Sequence, residues 1–151
     1  MTGARAGVGG LVVDASVALA AVLLEPLHEQ ALAVLDRSAA SGSNCLCPDV
    51  FDTECAAGIV KAVRQGRLRE HLVERTWAQL ASLPIERRPA TLIGADALRL
   101  ALLRGISAYD AMYVALSLAA ELPLVTADDR LVRMLSGTGC RLIPLEAFAT
   151  T

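Results

Sequence analysis

Short apolar runs alternate along the chain with longer segments in which apolar residues recur at helical spacing. The apolar runs predict buried strands at residues 11–13, 45–47, 84–87, 124–126 and 141–143. The helical segments are predicted at residues 16–24, 28–40, 48–65, 68–83, 91–104, 107–120 and 128–135, where the fifth and sixth ranges begin at the N-cap. This alternation predicts an α/β fold whose short, mostly parallel central sheet of roughly four to five strands is flanked by helices.

Residues that start or stop helices set most of these bounds. Pro26 ends the first helix, and Pro48 suits the first turn of the third. Thr91 is a candidate N-cap for the fifth helix, which Gly105 ends. Ser107 is the candidate N-cap of the next helix.

The chain has no repeat and no linker long enough to divide it, so we expect one domain over residues 11–148. Residues 1–10 are rich in Gly and Ala without a pattern, and we expect them to be a disordered lead-in. The apolar stretches 11–24 and 111–120 are shorter than the roughly 18 uncharged residues of a membrane-spanning helix. Asp14 also interrupts the first stretch, which argues against a secretion signal and favours a cytoplasmic protein.

Composition excludes several ways of binding nucleic acid or metal. The formal net charge is −2 and aromatic residues make up 3% of the chain, so neither a general basic surface nor a base-stacking platform is expected. Cys45 and Cys47 form a C-x-C pair that lacks the spacing of a zinc site, and buried thiols are the favoured interpretation. Any nucleic-acid chemistry must therefore come from a local site.

Two aspartates follow predicted strands at the position where ligands bind in parallel α/β sheets. Asp14 follows the first strand directly, and Asp128 comes two residues after Thr126, which ends the fourth. The carboxyl ends of such strands meet at one edge of the sheet. Each aspartate also has a purely structural alternative, because either side chain can cap or stabilise the start of the helix that follows it.

Two further acids are candidates only in combination with these. Asp110 lies three residues after Ser107, a spacing that also predicts a capping box. Glu54 lies on the third helix, where a glutamate is usually just solvated. If the four carboxylates converge, their repulsion favours a hard divalent cation such as Mg²⁺ or Mn²⁺. Such a site can hydrolyse phosphodiester bonds.

The order of these motifs resembles that of the PIN-domain family, and of its VapC toxins in particular. The matching pieces are VVDAS at residues 12–16, PDVFDTE at 48–54, SAYDAMYVAL at 107–116 and LVTAD at 124–128. The last two are quite specific in both sequence and separation, and the resemblance extends over residues 11–143. It implies the three-layer PIN fold.

The resemblance also implies roles for individual residues. The metal-binding and catalytic acids would be Asp14, Glu54, Asp110 and Asp128. The hydroxyls that support them would be Ser16, Thr126 and Ser107. Nearby acids remain alternatives if the register differs, namely Asp49, Asp52 and Asp129. Gly58 departs from the family pattern, which often has Asn one turn after the helix glutamate.

VapC toxins are Mg²⁺- or Mn²⁺-dependent endoribonucleases, so the resemblance implies that activity here. It implies an RNA substrate of the transfer or ribosomal class, whose cleavage inhibits translation. It further implies neutralisation by a VapB-type antitoxin and a homodimer. Arg87 and Arg130 are possible contacts for RNA phosphates, although surface exposure alone explains any single arginine.

Three other functions compete with this interpretation. A phosphoacceptor domain would have an acidic pair after the first strand and a suitably placed lysine, whereas Asp14 stands alone and Lys61 lies mid-helix. A dinucleotide-binding domain would have a glycine-rich loop after that strand, and this chain has none. An inert PIN-like module that binds RNA or protein is the main alternative, but it would be expected to lack at least one of the four acids.

Overall fold

A computed structural model describes residues 10–40 and 42–150, and its centre is a five-stranded parallel sheet. The strands are β1 (Leu11–Val13), β2 (Cys45–Pro48), β3 (Ile85–Arg88), β4 (Leu124–Thr126) and β5 (Leu142–Pro144). Their spatial order is β3-β2-β1-β4-β5. The expected parallel α/β sheet is confirmed, while almost all of the lead-in expected at residues 1–10 lies outside the described residues.

Seven α-helices accompany the sheet in the described part of the chain. They are α1 (Ala15–Val22), α2 (His28–Ala40), α3 (Val50–Arg64), α4 (Val73–Ala81), α5 (Ala90–Arg104), α6 (Ala108–Ala120) and α7 (Asp129–Met134). Within residues 10–40 and 42–150, no helix is long and apolar enough to cross a membrane.

The strand order explains why the acids after β1 and β4 come together. From β1 the chain moves outward through β2 and β3, then returns to place β4 on the other side of β1. Val13 pairs with Val125, and the Asp14 N–H donates to the Val125 carbonyl at 3.0 Å. The ends of β1 and β4 therefore lie side by side at the point where the strand order reverses, where ligands bind in such sheets.

The central strands are covered on both faces, which explains their unbroken apolar sequences. Val12, Val13, Leu124 and Val125 are completely buried. Tyr113 of α6 is the largest of the fully buried side chains packed around them. Such burial makes the end of β1 a rigid support for the residue that follows it.

Two predicted helix starts were wrong. Pro48 ends β2 instead of starting α3, because strand pairing continues until the Asp49 N–H donates to the Arg88 carbonyl at 3.0 Å. Thr91 is not an N-cap, since α5 begins at Ala90. The Ala90 N–H is instead capped by the Asp49 carboxylate at 3.2 Å, from another element.

The first and fourth helices are also shorter than predicted. The first ends at Val22, and Leu24 has a positive φ of 54°, which a helix excludes. Residues 68–83 were expected to form one helix, but a short 3-10 turn (Glu70–Leu72) precedes α4. Near the end of the chain, α7 begins one residue later than predicted because Asp128 is its cap.

Candidate active site

A cavity of about 780 Å³ opens at the carboxyl ends of β1 and β4. All four acids that the sequence singled out line it: Asp14, Glu54, Asp110 and Asp128. They come from the end of β1, the first half of α3, the first turn of α6 and the start of α7. The fold thus brings together carboxylates that are far apart along the chain.

Asp14 is held rigidly at the base of this cavity. Its side chain is buried, and its Oδ2 accepts hydrogen bonds of 2.8 Å from both Ser16 Oγ and Thr126 Oγ1. Ser16 Oγ in turn accepts from the Ala127 N–H, and Thr126 Oγ1 accepts from the Asp128 N–H, both at 3.0 Å. The Asp14 side chain makes no capping hydrogen bond to α1, so helix capping does not explain it.

The surroundings of the two innermost acids, Asp14 and Glu54, disfavour their negatively charged forms. Burial raises the pKa of Asp14 above its ordinary value, and the Asp110 charge adds to this, although Thr126 and Ser16 oppose it. Burial likewise raises the pKa of Glu54 to about 7, with smaller contributions from Asp14 and Asp110. Two neighbouring carboxylates that resist ionisation together are stabilised by a bound cation.

One oxygen of Glu54 has no hydrogen-bond partner among the described residues. The Tyr113 hydroxyl interacts with the Glu54 carboxylate and partly offsets the rise in its pKa. Their geometry is nevertheless not that of an ordinary hydrogen bond, since Glu54 Oε1 and Tyr113 OH are both buried without a hydrogen-bond partner. A buried carboxylate oxygen without a donor is costly unless something else binds it.

Asp110 and Asp128 lie on either side of one guanidinium. Arg130 Nη2 is 3.3 Å from Asp110 Oδ2 and 3.4 Å from Asp128 Oδ2. Asp128 also caps α7, because its Oδ1 accepts from the N–H groups of Arg130 and Leu131. The helix-capping role considered for Asp128 is therefore correct for Oδ1, while Oδ2 lies near the Arg130 guanidinium.

Ser107 supports Asp110 through the backbone. Ser107 Oγ accepts the Asp110 N–H at 3.1 Å and caps α6, as predicted. The other half of a capping box would occupy the Asp110 carboxylate, which is directed to Arg130 instead. The cap fixes the start of α6 and leaves the acid available to the cavity.

The alternative acids Asp49 and Asp52 do not line the cavity. Asp49 caps α5, and Asp52 forms an ion pair of 2.9 Å with Arg87. The same guanidinium lies 5.2 Å from the centre of the Phe51 ring. Arg87 is thus held outside the cavity, whereas Arg130 lines it. Asp129, the first residue of α7, does not line the cavity either.

These placements predict that Asp52→Asn leaves the RNA cleavage implied by the family resemblance nearly unchanged. We expect RNA cleavage rates within about threefold of the wild type, because the lost partner is a partly exposed ion pair outside the cavity. Initial rates at matched protein concentration would test this. A loss of a hundredfold or more would mean that Asp52, and not Glu54, is the acid that α3 contributes to the site.

The donor set fits a hydrated divalent cation. All four side chains offer carboxylate oxygens, which Mg²⁺ and Mn²⁺ prefer. Among the described residues, no three His, Cys, Asp or Glu side chains are close enough to enclose an ion by themselves. Mg²⁺ does not need such an enclosure, because it usually keeps several waters and takes one or two carboxylates together with substrate phosphates.

The cysteines do not contribute to this site. Cys45, Cys47 and Cys55 are buried free thiols, and Cys140 is a partly buried one. Burial raises the pKa of each of them, which opposes the thiolate form that binds metal. The expectation of buried thiols is confirmed for the first three.

Comparison with known proteins identifies the family. The family model described as PIN domain matches residues 11–135. The chain belongs to the PIN-domain family. The expected three-layer PIN fold agrees with the crystal structure of PAE2754 from Pyrobaculum aerophilum, which is 21% identical, has a TM-score of 0.66 and is matched over 92% of this chain and 85% of its own.

Curated relatives of this PIN domain are named as ribonucleases. Ribonuclease VapC9 of Mycobacterium tuberculosis is 35% identical over 138 residues, which cover 89% of this chain and 95% of the relative. Ribonuclease VapC3 of Pyrobaculum aerophilum is 34% identical over 125 residues, covering 80% and 91%. The fold is also that of VapBC2 from Rickettsia felis bound to a promoter DNA fragment, with a TM-score of 0.64 and 13% identity over 89% and 98% of the two chains.

Several residues around the acids of the PIN domain were not identified from the sequence. Tyr113 lies behind Glu54, and Lys61 and Arg67 line the far end of the cavity. A signal for Lys61 was available, because it lies seven residues after Glu54 and so on the same helix face. Nothing local distinguishes Arg67, whose position depends on a turn after α3.

Proposed function

We propose that this PIN domain is a Mg²⁺- or Mn²⁺-dependent endoribonuclease of the VapC type. The observation that carries the proposal is the group of four carboxylates lining one cavity at the point where the strand order reverses. Burial disfavours ionisation of the two innermost acids, and one oxygen of Glu54 lacks a hydrogen-bond partner among the described residues. The names of the curated relatives support RNA as the substrate.

Asp14 and Asp110 would hold the central metal, and Glu54 and Asp128 would complete the pocket or hold a second ion. When bound, the ion would lower the pKa of a coordinated water and stabilise charge on the phosphate. Ser16 and Thr126 fix one oxygen of Asp14, so that the other is oriented without rearrangement. The protein's contribution is mainly a preorganised negative site on a rigid sheet edge.

Arg130 would change partners when metal and RNA bind. In the protein alone its guanidinium is shared by Asp110 and Asp128. A metal ion at these carboxylates would compete with it, and the released guanidinium would be placed to bind an RNA phosphate in bidentate fashion. Arg130 would thus balance the charge of Asp110 and Asp128 before the metal binds and position the substrate afterwards.

This role predicts opposite changes in two measured quantities. Arg130→Ala should tighten Mn²⁺ binding about two- to fivefold, because an exposed competing cation is removed. The same change should slow RNA cleavage about tenfold or more, because a phosphate contact is lost. Mn²⁺ titration and initial cleavage rates measure the two effects. Weaker Mn²⁺ binding in the variant would contradict the competition.

The proposal extends to the biological role of the VapC relatives. It includes cleavage of transfer or ribosomal RNA that inhibits translation in the cytoplasm, neutralisation by a VapB-type antitoxin, and a homodimer. The similarity of this fold to a chain in the crystal structure of VapBC2 supports an antitoxin as the partner. An exposed group of leucines on α5 supports a protein interface: Leu92, Leu98, Leu102 and Leu103.

Cleavage of total cellular RNA by the purified protein would test the enzymatic proposal. We expect discrete products with Mg²⁺ or Mn²⁺ and none with EDTA, after mass spectrometry has shown that no antitoxin remains bound. If neither metal supports cleavage by the free protein, the inert RNA- or protein-binding module becomes the better account.

A further inference from the structure

The cavity extends beyond the acids to a second, basic end. Lys61 and Arg67 line that end, together with Glu25. Arg130 lines the cavity beside Asp110 and Asp128. A strand of RNA whose scissile phosphate lies at the acids would therefore have cations on more than one side.

Lys61 and Glu54 share one face of α3. They are seven residues apart, which is two helical turns and about 10.5 Å along the helix axis. Both line the cavity, so the face of α3 between them forms part of its wall. This separation is large enough for Lys61 to reach a different phosphate from the one at the acids.

The part of α3 between these two residues contributes small side chains to the cavity wall, and Leu19 of α1 packs on it. The cavity-lining residues there are Ala57 and Gly58, which have one or no side-chain carbon. A Cβ added at Gly58 would lie 2.4 Å from Leu19 Cδ1 of α1, so even alanine would force that side chain to move. Glycine therefore allows Leu19 of α1 to pack directly against α3 between Glu54 and Lys61.

Lys61 is also the cation at this end whose charge is not used within the protein. It is the only lysine in the sequence, and its side chain has no ion pair or hydrogen bond within the described residues. Arg67 differs, because it is 2.6 Å from Glu25 and donates a second hydrogen bond to Gln65 at 3.0 Å. Because the charges of Arg67 and Glu25 offset one another, the net positive charge at this end of the cavity is that of Lys61.

We propose that Lys61 is a positioning residue that binds a backbone phosphate of the RNA strand flanking the scissile phosphate. The inference rests on the proposed ribonuclease function. Phosphate is the favoured ligand because an ammonium group is a point charge that suits phosphate oxygens. Such a contact holds the strand in register without reading its bases.

The proposal is tested by RNA binding in the Asp14→Asn background, which is expected to leave the RNA intact. The probe is a fluorescein-labelled single-stranded oligouridylate, and anisotropy is measured at several NaCl concentrations. We expect Lys61→Ala to weaken binding about fivefold and to reduce the slope of log Kd against log salt by about 0.7, as the loss of one single-strand phosphate contact requires. Lys61→Arg should restore most of both.

Arg64→Ala is the matched control. Arg64 is an exposed cation on the same helix that does not line the cavity, so its removal changes the net charge equally. We expect it to leave the salt slope unchanged. A second measurement identifies which phosphate Lys61 contacts. Replacing that phosphate with a neutral methylphosphonate should abolish the difference in Kd between the parent and Lys61→Ala, whereas replacement at other positions should not.

The outcomes separate this inference from the function on which it rests. If the wild type cuts RNA but Lys61→Ala and Arg64→Ala have equal salt slopes, the contact is overturned and the ribonuclease stands. If the Asp14→Asn parent does not bind the oligonucleotide at all, the contact is likewise overturned. If the wild type cuts no RNA in the metal assay, the ribonuclease proposal fails, and the anisotropy result still decides whether Lys61 contacts a phosphate.

Discussion

Asp14→Asn is expected to lower the rate of RNA cleavage by about two to three orders of magnitude. The substitution removes the charge of a buried carboxylate at the base of the cavity and keeps its size. An amide is a much weaker ligand for Mg²⁺ than a carboxylate, so the variant should lose the site's strongest fixed attraction for the ion. Initial rates with saturating Mg²⁺ and a purified RNA would measure the effect.

Two controls make this result specific to the charge. Circular dichroism should show an unchanged fold, because the Ser16 and Thr126 hydroxyls can also hydrogen-bond to an amide. Asp52→Asn makes the same chemical change outside the cavity and should retain activity. If Asp14→Asn and Asp52→Asn have similar rates, the observed cleavage does not come from this cavity.

Glu54→Gln is expected to damage catalysis and stabilise the metal-free protein. RNA cleavage should fall about a hundredfold, because a carboxylate of the pocket is lost. In EDTA at pH 8, however, the free energy of unfolding should rise by about 1–2 kcal/mol, after allowance for the solvent that reaches this half-buried side chain. A residue whose removal stabilises the fold and abolishes the activity is retained for function.

The pH dependence follows from the direction of the pKa shift. Burial raises the pKa of Glu54 from an ordinary 4.5 to about 7, so the folded protein favours the neutral acid. The stability that this provides is fully present below pH 4.5 and is lost as the pH rises through about 7. We therefore expect the stabilisation by Glu54→Gln to be large at pH 8 and small at pH 5, as measured by urea unfolding in EDTA.

Added Mg²⁺ provides the complementary control. It should raise the melting temperature of the wild type at pH 8 by binding the folded state, and should raise that of Glu54→Gln by less. A Glu54→Gln variant that is less stable than the wild type at pH 8 in EDTA would contradict the account. It would mean that the Glu54 carboxylate is satisfied within the protein.

The sheet and the position of the acids were predictable because both depend on local patterns. The apolar runs ending at Val13 and Thr126 are short and nearly unbroken, as strands buried on both faces must be. The rule that ligands bind at the carboxyl ends of such strands then singled out Asp14 and Asp128. The structure adds that β1 and β4 are neighbours, which is what places these two acids in one cavity.

The features that were mispredicted or missed depend on contacts between distant residues. Thr91 is a good N-cap by residue type, but the Asp49 carboxylate caps that helix from across the chain. Pro48 suits a helix start as well as a strand end, and only its pairing with Arg88 decides between them. The shared guanidinium of Arg130 has the same origin, because its distance to Asp110 is set by how α6 and α7 meet at the cavity.

Mn²⁺ binding, measured by electron paramagnetic resonance, tests most directly whether the four carboxylates form a metal site. The titration compares the wild type with Asp14→Asn and Asp52→Asn at neutral pH. We expect bound Mn²⁺ in the wild type and in Asp52→Asn, and binding weakened tenfold or more in Asp14→Asn. No bound Mn²⁺ in the wild type, or equal binding by all three proteins, would contradict a metal centre at these residues.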